Sequence, residues 1–276
     1  KEKNAPAAYS ALGIKKLLKA EKISDITVFD HFYNFYSRVK PDYVFHLAAQ
    51  SLVKESYVKP YETIQTNLVG TLNILEAIRL SKRTCYCIIV TSDKCYKNKP
   101  SKRAFQETDE MGGQDIYSMS KGATELLVHA YRESFFSSKT IKTHQVYLAS
   151  VRAGNVIGGG DFAQNRLIPD CVRALNKNKK PVLRNPSHIR PWQHVLEPLY
   201  GYITLALKMK TSIKFCSAFN FGPHSKNSLS VKKIVKVFLK KWGINENFFQ
   251  IKKTITNQQE SKNLMLNIKK ASTSLH

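Results

Sequence analysis

Short, almost uninterrupted apolar runs alternate along the chain with longer stretches whose apolar residues recur every three or four positions. Tyr43–Ala48, just after Pro41, has the first pattern and reads as a buried strand. Cys87–Thr91 and Val146–Val151 read as two more. Thr63–Leu80 and Tyr117–Phe136 have the second pattern and read as helices. Buried strands separated by helices predict an α/β fold with a parallel sheet, because parallel neighbours need a helical crossover. Such sheets take their ligands beyond the carboxyl ends of the strands. Those ends carry Ala48-Ala49-Gln50-Ser51, Thr91-Ser92-Asp93-Lys94 and Ala153-Gly154-Asn155. After residue 160 the elements shorten and loops multiply, which predicts a smaller second lobe. There are no internal repeats or low-complexity segments.

The 276 residues are 42% hydrophobic, enough for a sizeable core. No run approaches the ~20 apolar residues that span a bilayer. No signal peptide is visible, and the first residue is Lys1 rather than Met, so a segment ahead of it is expected. The five cysteines have no metal-ligand spacing, which predicts buried thiols in a reducing cytoplasm and no metal site. In a strand, Cys85 and Cys87 would point to one face.

The net charge of +24 raises the possibility of nucleic acid. Its distribution argues otherwise. Residues 171–276 hold 20 of the 44 basic residues and three of the 20 acids. Many of these lysines lie in segments such as Val231–Lys241, where apolar residues take one helical face and lysines the other. That pattern is a solvated face. A small anionic substrate, held by a few arginines in the C-terminal lobe, accounts for the asymmetry without nucleic acid or membrane as partner.

Tyr117 and Lys121 are four apart at the start of a predicted helix, which puts them on one face, about 5–6 Å apart at Cβ. A free phenol, with a pKa near ~10, is a poor base at neutral pH. A neighbouring ammonium favours the phenolate. A Tyr so tuned can take a proton from a sugar hydroxyl while hydride leaves the same carbon. The strand ending in Thr91-Ser92-Asp93-Lys94 upstream gives the pair its context.

At these residues the chain resembles the extended short-chain dehydrogenase/reductase family, and within it the CDP-glucose 4,6-dehydratase branch. The matching strings include Val44–Gln50, Thr66–Thr71, Thr91–Tyr96, Tyr117–Gly122, Ser150–Asp161, Arg166–Asp170, Ile189–Val195 and Phe219–Pro223. The likeness implies a Rossmann-type doubly wound sheet with a C-terminal substrate lobe. It implies an NAD-binding unit over 1–157, with a return segment near 191–215, and a mainly substrate-binding lobe over 158–276. It also implies NAD as cofactor, CDP-glucose as substrate, a lyase of deoxysugar synthesis for lipopolysaccharide O-antigen, and a homodimer built on the two long helices.

The residue roles come from the resemblance alone. Tyr117 would accept the O4 proton and Lys121 would bond the nicotinamide ribose. Ser92 would face O4, Asp93 would be the acid at O6, and Lys94 the base at C5. Asp25 and Ile26 would meet adenine; Leu47, Ala48, Ala49, Thr66 and Thr91 would face the cofactor. Ser51, Asn155, Arg166, Leu167, Arg184, Arg190, His194 and Asn220 would hold the nucleotide sugar. Arg190 suits the diphosphate because its planar fork matches phosphate oxygens. His194, judged by itself, reads as a core or helix-start histidine.

The chain departs from the pattern in four places. No Gly-x-x-Gly-x-x-Gly turn precedes Asp25, so the sheet is expected to be incomplete at its N-terminal side and NAD to bind poorly. Leu264–Ala271 resembles the family's last strand and helix start, without the usual closing segment. Lys97–Glu107 diverges, and Ser51 stands where Pro is common. Open alternatives are another nucleotide-sugar dehydratase or epimerase of the same fold, or a non-catalytic remnant.

Overall fold

The computed structural model describes residues 8–97, 103–224, 227–252 and 263–275, so part of the divergent Lys97–Glu107 segment lies outside the described residues. Four parallel strands form the main sheet: β1 (Tyr43–His46), β2 (Cys85–Val90), β3 (Val146–Ala153) and β4 (Ala218–Phe221), side by side in that order. Phe45 lies opposite Ile88, Ile88 opposite Ala149, and Val151 opposite Phe219. The central strand β2 is buried on both faces, as a continuous apolar run requires.

The two faces of β2 carry two different cores. Cys85, Cys87 and Ile89 pack under α1 (Phe29–Val39), α2 (Gly70–Ser81) and α3 (Ile116–Ser134), against Tyr36, Ile74, Leu75, Ile78 and Val128. All five cysteines are free thiols. After β3 the chain leaves the sheet for α4 (Leu167–Asn176), then returns along α5 (Leu196–Met209). α5 covers the second face, where Tyr202, Leu205, Ala206 and Met209 meet Tyr86, Ile88 and Phe219. α6 (Val231–Lys241) packs on α4 through Val235 and Leu239, with Lys232, Lys233, Lys240 and Lys241 in solvent. The last helix, α7 (Lys269–Ser274), closes on β4. Helices on both faces of a parallel sheet make the fold doubly wound.

One helix differs from its sequence pattern. Thr63–Leu80 is not a continuous α-helix: a π-turn over Gln65–Val69 joins Pro60–Ile64 to α2. The wide turn frees the Asn67 carbonyl, which accepts from the hydroxyls of Thr71 at 2.7 Å and Thr124 at 3.1 Å. The Asn67 side chain bonds both the N–H and the carbonyl of Gln50 and the Ser120 hydroxyl, tying β1's end to α3. Such turns commonly sit at functional sites.

Candidate active site

Three strands of the sheet, β1, β2 and β3, bring their carboxyl ends to one cleft of about 920 Å³. Leu47 and Ala49 come from the end of β1, Thr91 to Lys94 from the end of β2, and Gly154 and Asn155 from the end of β3. Tyr117 and Lys121 enter from the first turns of α3. That helix starts where it does because Asp115 caps it, accepting from the Ser118 N–H at 2.9 Å and the Ser118 hydroxyl at 2.6 Å. The Tyr117 N–H donates to the Ser56 hydroxyl at 3.2 Å. Ser51 follows the end of β1, and the facing wall carries Arg166, Leu167, Arg184 and Arg190.

The turn after β2 is the densest part of the site. Ser92 caps a single 3-10 turn over Asp93–Cys95, and its hydroxyl donates to Asp93 Oδ1 at 3.0 Å. Asp93 is 4% exposed, and its Oδ2 is buried without a hydrogen-bond partner. Burial pushes its carboxyl upward, against the opposing pull of Lys94, Ser92 and Arg190. A Cβ on Gly154 would lie 2.2 Å from Pro191 Cγ and 2.9 Å from Asp93 Oδ2, so β3 can pass this carboxylate only as glycine.

Tyr117 behaves differently from the sequence expectation. Burial pushes its phenol up to about 12; a hydrogen bond with Ser92 opposes the rise and Asp93 adds to it. The cation that opposes the rise is Arg166, not Lys121, and burial of the phenolate outweighs it. Lys121 is itself buried and lowered to about 8 by desolvation, against the pull of Cys95 and Glu125. Its ammonium makes one long bond, 3.5 Å to the Val90 carbonyl. His46, at the end of β1, is lowered to about 4 by burial and by the charge of Lys121.

On the arginine wall, Arg166 donates to the Ser51 hydroxyl at 2.7 Å across the cleft, with Asp161 3.6 Å from its other arm. Arg184 lies 3.8 Å from Asp170. Arg190 donates to the Ile189 carbonyl at 2.9 Å and faces His188 Nδ1 at 3.2 Å.

Some residues expected at the site lie elsewhere. Asn220 is fully buried away from the cleft: its amide donates to the carbonyls of Phe105 and Asn267 and its oxygen accepts from Tyr96. His194 is exposed and caps α5, its Nδ1 accepting from the Leu196 N–H at 3.3 Å. Ile26 packs on Gly70, where a Cβ would come within 2.6 Å of it, and its carbonyl accepts from Asn73. Asp25 is exposed and accepts from Thr27. Ala48 and Thr66 do not line the cleft either. Conversely, sequence reading missed Glu125 and Arg152, a buried ion pair at 2.8 Å behind the β2 turn. The available signal was Glu125 four residues after Lys121, a carboxylate on the helix's inward face.

Among the described residues, no cluster of three or more His, Cys, Asp or Glu could hold a metal, and no helix is long and apolar enough to cross a membrane. The sequence profile of the GDP-mannose 4,6 dehydratase family matches residues 16–276. A CDP-glucose 4,6-dehydratase of Salmonella typhimurium is 45% identical over 243 residues, covering 87% of this chain and 68% of that protein. In fold, the chain is similar to UDP-glucuronic acid 4-epimerase from Bacillus cereus, solved with UDP-glucuronic acid and NAD, at a TM-score of 0.80. That match has 20% identity and covers 97% of this chain and 79% of that one. A dTDP-glucose 4,6-dehydratase from Streptomyces venezuelae, solved with NAD, aligns at a TM-score of 0.75 with 18% identity, over 91% of this chain and 72% of that one.

Proposed function

Since the chain belongs to the GDP-mannose 4,6 dehydratase family, we propose that it is a hydro-lyase converting CDP-glucose to CDP-4-keto-6-deoxy-glucose with NAD as cofactor. The observation that carries this reading is the meeting of Tyr117, Lys121, Ser92, Asp93 and Lys94 in one cleft with Arg166, Arg184 and Arg190. The likeness to the Salmonella enzyme supports the nucleotide, and an acid beside a candidate base supports dehydration over epimerisation.

The residues present fit the nicotinamide half of the cofactor. The buried Lys121 ammonium has donors to spare for ribose hydroxyls, and Leu47 and Ala49 offer an apolar strand end. Bound NAD would accept hydride from C4 of glucose, return it to C6 and, as a cation, favour a phenolate nearby. The grip on the pyrophosphate is a different matter, because the chain contains no Gly-x-x-Gly-x-x-Gly turn. NAD+ titrated into the 276-residue chain by calorimetry is expected to bind weakly or not at all. Micromolar affinity would overturn that.

Tyr117 takes the O4 proton as C4 is oxidised. With a phenol at about 12, forming the anion at pH 7 costs roughly 7 kcal/mol, which the surrounding positive charge must offset. The 4-ketone acidifies C5–H; Lys94 removes that proton and gives it back to C5 as hydride reaches C6. Asp93, whose raised pKa suits a proton donor, protonates the departing O6. Arg166, Arg184 and Arg190 hold the diphosphate, and Ser51 and Asn155 the sugar side. Exposed apolar residues around the long helices, Val58 at 75%, Tyr61 at 74% and Leu126 at 59%, support a homodimer through that face.

Three experiments address this. The protein is incubated with NAD+ and CDP-, dTDP- or UDP-glucose, and the 4-keto sugar is followed by its absorbance in alkali. Turnover of CDP-glucose is expected; turnover of another sugar alone moves the substrate. Lys94→Ala is expected to abolish C5 proton exchange, and normal exchange would remove Lys94 from that role. Gly154→Ala is expected to lower kcat by about 100-fold by displacing Asp93. Gly222→Ala, outside the cleft lining and with only ordinary contacts at 3.8 to 3.9 Å for its Cβ, is the neutral control.

A further inference from the structure

We propose that the buried Glu125–Arg152 pair is a positioning couple: it clamps both ends of the Ser92–Lys94 turn against α3, and Glu125 supplies a countercharge to Lys121 one helical turn away. Its catalytic consequence rests on the dehydratase reading above.

The clamp is visible bond by bond. On the upstream side, Thr91 donates its hydroxyl to Glu125 Oε1. Glu125 Oε2 accepts from Ser150 and from Arg152 Nη2, both at 2.8 Å. On the downstream side, Arg152 Nη1 donates to the Tyr96 hydroxyl at 2.8 Å and to the Glu107 carbonyl at 3.0 Å. The Arg152 guanidinium also stands 4.9 Å over the Tyr96 ring. Thr91 immediately precedes Ser92, and Tyr96 follows Lys94 by two residues. The reactive turn is therefore held before and after by one ion pair. Glu125 and Arg152 are each 4% exposed.

Stability alone does not call for charges here, because buried ion pairs are often replaced by apolar residues without loss. What an apolar pair cannot do is fix four hydrogen-bonding partners from β2, β3 and the 103–110 segment at once. The charges facing Lys121 come from several elements: Glu125 from its own helix, Cys95 from the turn, and His46, which feels Lys121 from β1. Of these, Glu125 alone is an ionised acid at neutral pH; Arg152 and its hydrogen bonds hold it so against its burial.

Two variants test the proposal. Arg152→Lys keeps the charge pair but cannot serve both arms. It is expected to lower kcat tenfold or more with KM for the nucleotide sugar within threefold, and to speed amide exchange at Asp93–Cys95 at least tenfold. Glu125→Gln/Arg152→Met removes both charges together. It is expected to move the Lys121 titration down by half a pH unit or more, followed through its 13Cε resonance, which is assigned by its loss in Lys121→Arg. Unchanged exchange at Asp93–Cys95 in Arg152→Lys would overturn the clamp, and an unmoved Lys121 titration in the double variant would overturn the countercharge. If the double variant does not fold, the Arg152→Lys exchange still decides the clamp. Should the wild-type protein turn over no nucleotide sugar, the dehydratase reading falls while exchange and titration still decide this one.

Discussion

Tyr117→Phe is expected to leave the protein folded and to lower turnover of the nucleotide sugar by roughly 10²–10⁴-fold, the usual contribution of a positioned proton acceptor. The change removes one oxygen. That oxygen's hydrogen-bond partner is Ser92, and Ser92 keeps its bond to Asp93 without it. The ring stays, 7% exposed between the strand ends and α3. Lost stability should amount to about 1 kcal/mol, the net worth of one hydrogen bond. KM should remain within a few-fold, because the phenol oxygen is not one of the groups that hold the diphosphate. Steady-state kinetics beside a thermal melt measures both. A variant retaining a tenth or more of wild-type kcat would remove Tyr117 as the O4 proton acceptor.

Arg152→Ala is expected to be the most damaging single change to stability, by about 3–5 kcal/mol, because it leaves a buried carboxylate without its partner. For a chain of this size that is a fall in Tm on the order of 10 °C. The pH dependence gives the mechanism away. In the wild type, burial works against the Glu125 charge, but Arg152 and three hydrogen bonds hold its pKa below the ordinary value. Its contribution is then present above the unfolded value and is lost as pH falls through the folded one. Without Arg152, burial dominates and the folded pKa rises. The variant's deficit should be largest at neutral pH and shrink toward pH 5, as the carboxyl takes up a proton. A deficit independent of pH would mean that packing, not charge, is what Arg152 supplies.

Much of the fold was legible because it is local. The apolar run Cys87–Thr91 reads as a buried strand and lies almost wholly within β2, and the strand ends were marked by small and polar residues. The cleft side of the site was legible for the same reason: Ser92, Asp93 and Lys94 follow a strand directly, and Tyr117 and Lys121 share one helical face. What sequence could not give was the direction of side chains held by distant partners. Asn220 sits near the end of β4, where a strand-end residue of this fold class is expected to meet ligand, yet Tyr96, Phe105 and Asn267 hold it inside. His194 was drawn to a helix start, the reading its own residue type favours. The π-turn at Gln65–Val69 depends on Gly70 meeting Ile26 and on Asn67 meeting Gln50, contacts that no helical periodicity encodes. The height of the Tyr117 pKa depends on burial, which spacing does not report.

The bond between Asn220 and Asn267 belongs to a longer seam. Phe105 donates its N–H to the Met265 carbonyl, Asn267 returns a bond to the Phe105 carbonyl, and Leu264 and Leu266 pack on Cys95, Tyr96 and Phe105. Cys95 and Tyr96 are the continuation of the reactive turn. Residues 264–267 are thus its back wall, although none of them lines the cleft. Loosening Leu264–Asn267 would therefore act as an active-site lesion, since it frees the reactive turn from behind without touching the arginines of the cleft.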